Sequence, residues 1–228
     1  MEILTRQQTS DVPEVRPASL KRPGPPGGVR DTNRANRSRC IREAALALYL
    51  ERGVESVSVD DIMKAARMAK GSFYRYFTDQ AGLMEELMAP LHGLLSAALD
   101  ACARELDLAR TSEAQLAAYQ RVAGVLSSLL AQHPGEVRLY LQECRAPGLG
   151  TRRPVAELAR LVTRHAIDIT GRAQAHGLLR TLNPAISALT VVGATERLLL
   201  ALLHREDLGD VGEVPPAVMS ALLQGLRR

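Results

Sequence analysis

The stretch SVDDIMKAARMAKGSFYRYF, residues 58–77, restricts the possible folds more than any other part of the chain. It holds four of the seven aromatic residues: Phe73, Tyr74, Tyr76 and Phe77. Ser58 followed three positions later by Asp61 is a capping-box pattern, in which a hydroxyl and a carboxylate satisfy the orphan N–H groups at a helix start. Val59, Ile62, Met63 and Ala66 then recur at helical spacing and give a first short helix one apolar stripe. A second short helix is predicted from Lys70. Phe73 and Phe77, four apart, enter the core beneath it and leave Lys70, Gly71, Ser72, Tyr74 and Tyr76 outward. Helices this short are not stable alone, so packing must hold them. Two of them joined by a tight turn, the second offering amine and hydroxyl donors, fit a helix-turn-helix whose second member enters the major groove of DNA. The alternative is an ordinary helical hairpin.

The register extends this reading. From Ile41 to Leu83 the chain has an Ala-rich first helix, then Gly53, Ser58, Asp61-Ile62, Lys70-Gly71-Ser72-Phe73-Tyr74, Tyr76-Phe77 and Leu83. In that order of residues it resembles the DNA-binding domain of the tetracycline repressor-like (TetR) family of bacterial regulators, over about a fifth of its length. Two departures stand out. The turn reads Arg67-Met68-Ala69 where the family commonly has Gly-aliphatic-Ser. A non-Gly residue in a left-handed turn costs roughly 1 kcal/mol, and Ala at a cap gives up roughly 0.5–2 kcal/mol relative to Ser. Either the turn is built differently, or Arg67 is kept for a phosphate contact. After Phe77, Thr78-Asp79-Gln80 replaces a stretch that commonly carries Lys, which puts one or two of the phosphate contacts that the resemblance implies in question.

Charge is distributed unevenly. The net charge is +4, and residues 1–40 account for all of it, with eight Lys or Arg against four acids. The excess therefore lies beside the reading helix, where a basic arm can neutralise phosphates or reach a minor groove. A solubilising tail is the alternative. Only three of the 29 Lys and Arg residues are lysine, a bias that cautions against reading every arginine as functional. Cys40, Cys102 and Cys144 have no metal-type spacing and leave an odd thiol, which points to a reducing cytoplasm. The start MEILTRQQTS has no apolar signal core, and the most apolar run, near Ala185–Leu203, is interrupted by Glu196-Arg197, so a soluble protein off the membrane is expected.

Three segments follow. Residues 1–32 are Pro- and Gly-rich and are expected to be a disordered basic arm. Residues 33–80 form the helix-turn-helix domain, its first helix carrying Ile41, Ala44, Ala45, Leu48 and Tyr49 on one face and ending at Gly53 in a left-handed cap. Residues 81–228 form an all-α bundle. Its helices are predicted over Ala81–Leu106, with a possible kink at Pro90, over Ser112–Gln132, from His133-Pro134-Gly135 to Cys144, over Val155–His176, from Asn183-Pro184 to His204, and from Pro215-Pro216 to Leu226.

The candidate DNA contacts are Lys70, Gly71 and Ser72 for base edges or close backbone approach, Ser58, Tyr74 and Tyr76 for phosphates, and Arg37 and Arg39 anchoring the arm. The last two helices are apolar nearly all round. Ile186, Leu189, Gly193, Leu200 and Leu203, with Val218, Leu222 and Gly225, can bury against a twin subunit, and the resemblance implies a four-helix dimer interface there. Intrachain core accounts for part of each face. The resemblance also implies an effector cavity between the helices of residues 81–176, for which Leu95, Cys102, Tyr119, Tyr140, Cys144 and His165 are candidates, ordinary core being the other reading of each. The shortage of aromatics points to a small aliphatic or acyl-type effector. The five histidines show no metal-ligand spacing, and no cofactor or catalytic motif is present, so an enzyme is not expected. The expectation is a homodimeric repressor on a palindromic operator, released by a small apolar effector. The alternatives are a helical protein-interaction module and a small-molecule carrier without an operator.

Overall fold

A computed structural model of the chain describes residues 29–177, 179 and 182–210. Among the described residues there is no strand. The α-helices are α1 (Val29–Arg52), α2 (Val59–Ala65), α3 (Gln80–Leu108), α4 (Ser112–Gln132), α5 (Pro134–Glu143), α6 (Arg153–Ala175) and α7 (Pro184–Leu203), with 3₁₀ turns at Val54–Ser56, Lys70–Arg75 and Gly150–Arg152. The fold class is all-α, as expected. The chain divides into two units, Met1–Asn36 and Arg37–Arg228. In the first, residues 31–36 are exposed opening turns of α1.

One boundary differs from expectation. Residues 29–32, placed in the arm, are helical; Asp31 in the first turn of α1 complements the positive end of the helix dipole. Residues 1–28 and the last expected helix, with Val218, Leu222 and Gly225, lie outside the described residues. Elsewhere the pattern of caps sets the ends. Gly53 takes φ 78° after α1. Asp79, Thr111 and Asn183 cap α3, α4 and α7 with side-chain oxygens that accept backbone N–H groups. α3 runs through Pro90 as one helix.

The core is continuous. Ile41, Ala45 and Tyr49 of α1, Ile62 and Met63 of α2, and Phe73 and Phe77 meet Leu83, Met84, Leu87 and Met88 of α3. The same helix continues with Leu91, Leu95 and Leu99 into the bundle, where it packs on α4 and α6, while α7 packs on α5 and α6. The start of α5 also abuts the N-terminal helices: a side chain at Gly135 would meet Leu46 at 2.9 Å. A second tie is ionic. Arg152 donates to Glu143 of α5 at 2.5 Å and to Glu55 beside α1.

Candidate nucleic-acid interface and ligand cavity

The segment from Ser58 to Phe77 is fixed at its start by the predicted capping box. The Asp61 N–H donates to Ser58 Oγ at 3.2 Å, and the Ser58 N–H donates to Asp61 Oδ2 at 2.9 Å. Hydrogen bonds from Ser58 hold the Asp61 carboxyl below the usual carboxylate range. The Ser58 side chain is thus engaged in the cap. Arg67 closes the turn in the left-handed region, φ 56°, the strained position that its departure from glycine implies. Ala69 then caps the next helix with no side-chain hydrogen bond, as the sequence suggests.

That next helix, Lys70–Arg75, is 3₁₀ rather than α. Its bonds include Ser72 N–H to Ala69 O and Tyr76 N–H to Phe73 O, both 2.9 Å. The change of period moves Tyr76. At three residues per turn, positions 73 and 76 share a side, so Tyr76 is half-buried against the core rather than outward. Phe73 and Phe77 are buried as expected, their centroids 5.5 Å apart, and Tyr74 crosses Phe73 edge-on at 5.4 Å while staying 65 % exposed.

The outward side of this short helix therefore presents Lys70, Gly71 and Tyr74. The Lys70 ammonium lies 3.6 Å from Asp60, an exposed pair worth ~0–1 kcal/mol that a phosphate can displace. Nothing within 4 Å would meet a side chain at Gly71, so intrachain packing does not require its lack of one. Ser72 is half-buried and donates from Oγ to Ala69 O at 2.6 Å. Arg37 and Arg39 are exposed on α1, the latter 3.8 Å from Glu43. Three further exposed cations on this segment, Lys64, Arg67 and Arg75, extend its basic character; of these the sequence had singled out Arg67 alone.

A cavity of about 330 Å³ opens between α3, α4, α5, α6 and α7. Leu95, Cys102, Tyr119 and Tyr140 line it, and Cys144 and His165 do not. His165 lies beside Asp100 at 3.5 Å instead, and the Cys144 thiol faces the Leu141 carbonyl. Burial pushes the Cys102 thiol up to about 11 and the Tyr119 phenol up to about 12, so both are protonated at neutral pH. Among the described residues one charged group lines the cavity, and the sequence reading missed it. Glu196 of α7 accepts a hydrogen bond from the Tyr140 hydroxyl at 2.8 Å and from Arg145 at 3.0 Å. Burial, then the adjacent carboxylate, pushes the Tyr140 phenol well above its ordinary value.

On α7, Ile186 and Leu189 are 65 % and 53 % exposed, Leu200 and Leu203 are half-buried and packed against the core, and nothing lies within 4 Å of a side chain built at Gly193. By length and composition α7 is apolar enough to cross a membrane. Glu196 and Arg197 interrupt it at mid-length, and its inner side lines the cavity.

Residues 41–87 match the model of the family described as bacterial regulatory proteins, tetR family. The transcriptional regulator AcuR of Cereibacter sphaeroides is 43% identical over 72 residues, which make up 32% of this chain and 32% of that protein. The matched region spans about a third of the length of the curated relatives. Among solved structures, NalD, the secondary repressor of the MexAB-OprM multidrug efflux pump in Pseudomonas aeruginosa, superposes with a TM-score of 0.64 at 20% identity, over 85% of this chain and 98% of that one. Thermus thermophilus FadR, a transcriptional repressor solved with lauroyl-CoA, superposes with a TM-score of 0.54 at 19% identity, over 82% of this chain and 94% of that one. At such identities these superpositions speak to the fold. The capped segment and its buried phenylalanine pair thus lie within residues 41–87, the part of the chain that matches the tetR family of bacterial regulatory proteins.

Proposed function

We propose that the protein is a homodimeric transcriptional repressor that binds a palindromic operator through Lys70–Arg75 and leaves it when a small molecule fills the cavity. One observation carries the reading: Phe73 of this short helix and Phe77 just after it are buried while Lys70, Gly71 and Tyr74 of the helix are exposed. A helix anchored by its aromatic side is rigid enough to present the other side to a duplex. Lys70 and the bare backbone of Gly71 then approach base edges, and the Tyr74 hydroxyl donates to a phosphate. Arg67, Arg75, Arg37 and Arg39 supply further phosphate contacts, which fix register without reading sequence. Residues 33–80 serve as the reading domain and residues 81–228 as the effector and dimer domain. The exposed apolar side of α7 meets the same side of a second copy, which pairs two reading helices on a two-fold site. Such a protein works in the cytoplasm, beside the chromosome.

Release requires an effector that binds the spacing unsuited to DNA more tightly than the spacing suited to it. The cavity touches α5, whose start packs on α1 and whose end holds Glu143 for the Arg152 bridge to Glu55, so a change in α5 is felt on the DNA side. The test is a footprint on the DNA flanking the protein's own coding region, repeated with candidate metabolites. A protected site of two-fold symmetry, with half-sites about 34 Å apart or a multiple of that, supports the reading. An affinity that does not fall with added salt would refute it and favour a protein-interaction module.

A further inference from the structure

The chemistry of the cavity selects among ligands more narrowly than its size does. At about 330 Å³ it lies at the small end of ligand pockets, which run from about 300 to 1,000 Å³. Its described walls are aliphatic apart from two tyrosine rings, a few hydroxyls, one thiol and Glu196. Among the described residues no lysine, arginine or histidine lines it. A carboxylate or phosphate brought in would find no cation among the described lining residues, Arg145 being already paired with Glu196, and would face that carboxylate across a medium of low dielectric, where like charges are costly.

Glu196 has acceptor capacity to spare. Its side chain is only 14 % exposed. Oε1 takes the Tyr140 hydroxyl and Oε2 takes Arg145, one donor for each oxygen. A carboxylate oxygen accepts two. The Arg145 side chain is 65 % exposed, so that cation is screened by water, whereas a donor arriving from the cavity meets the carboxylate in an apolar surround. A buried charge is tolerated where it is paired and hydrogen-bonded, and a charge-assisted hydrogen bond is the strongest that one polar group can offer.

We propose that the cavity takes a small lipophilic amine in its ammonium form, its chain among the leucines of α3, α4 and α7 and its nitrogen donating to Glu196. This deepens the reading of the cavity as the effector site and rests on it for the consequence at DNA, although binding itself does not. Of the aliphatic or acyl-type effectors that the scarcity of aromatics suggests, those with an anionic head are disfavoured by the same carboxylate.

The full-length protein without DNA is titrated calorimetrically with octylamine, octanol and octanoate at neutral pH. Octylamine should bind about tenfold or more tightly than octanol, the factor expected of one charge-assisted bond over a neutral one, and octanoate should bind weakest. Glu196→Gln should bring octylamine down to the level of octanol. Ala123→Phe, which fills the cavity from α4, should remove binding of the amine and so exclude adsorption to the exposed side of α7. Octanoate binding as tightly as octylamine, an amine affinity untouched by either variant, or no binding of any probe overturns the proposal. Should Glu196→Gln fail to fold, the wild-type ranking and Ala123→Phe still decide it. Octylamine that binds as predicted yet leaves DNA affinity unchanged keeps the ligand class and removes the effector reading instead.

Discussion

At Arg67 a side chain occupies backbone that favours glycine, φ 56°, one turn before the proposed reading helix. Arg67→Gly should raise stability by about 1 kcal/mol, read as a melting temperature several degrees higher. The same change should weaken DNA binding evenly across sequences, because a phosphate contact is lost. Ala69→Ser adds a hydroxyl at an uncapped start and should stabilise the full chain by about 0.5–2 kcal/mol; an unchanged or lower melting temperature counts against the cap. These local features were legible because cap and turn chemistry depends on neighbours in sequence. Glu196 was not. In the linear chain it reads as an interruption of an apolar run, and its role appears only when Tyr140, 56 residues away, is brought beside it.

At the scale of elements, the helices followed from apolar periodicity and caps, which is why α4 begins and ends where its pattern does. What periodicity did not reveal was the 3₁₀ winding of Lys70–Arg75. Six residues hold too few turns for a pattern to distinguish three residues per turn from 3.6, and that difference accounts for Tyr76. Contacts between distant helices were equally hidden, the Arg152 bridge above all. Glu143 is nearly buried and Glu55 is exposed, so the two arms of this bridge differ. Arg152→Ala should cost about 1–3 kcal/mol, since it strands the Glu143 carboxylate. Glu55→Ala should cost no more than about 1 kcal/mol. If α5 links cavity and DNA, Glu55→Ala should keep both affinities yet reduce severalfold the drop in DNA affinity that ligand causes, the reach of a coupling of about 1 kcal/mol. An undiminished drop in operator titrations with and without ligand places the coupling elsewhere.

For the whole molecule, the α7 surface is the feature that a single copy leaves unexplained. Ile186 and Leu189 stand exposed on a helix whose inner side lines a cavity, and Gly193 leaves room for close approach. Ile186→Asp with Leu189→Asp should shift the protein from dimer to monomer in sedimentation at micromolar concentration. DNA affinity should fall with it, because two half-sites are then no longer engaged together. A dimer that survives both changes places the interface on another face. The central claim, that the side of Lys70–Arg75 opposite Phe73 lies along a duplex, is tested most directly by fluorescence anisotropy of labelled operator titrated with wild type and with a Lys70→Ala, Tyr74→Phe double variant. The account predicts that affinity falls about tenfold or more in the variant, at an unchanged melting temperature and with a shallower dependence on salt. Equal affinity and an equal salt slope for the two proteins would contradict it.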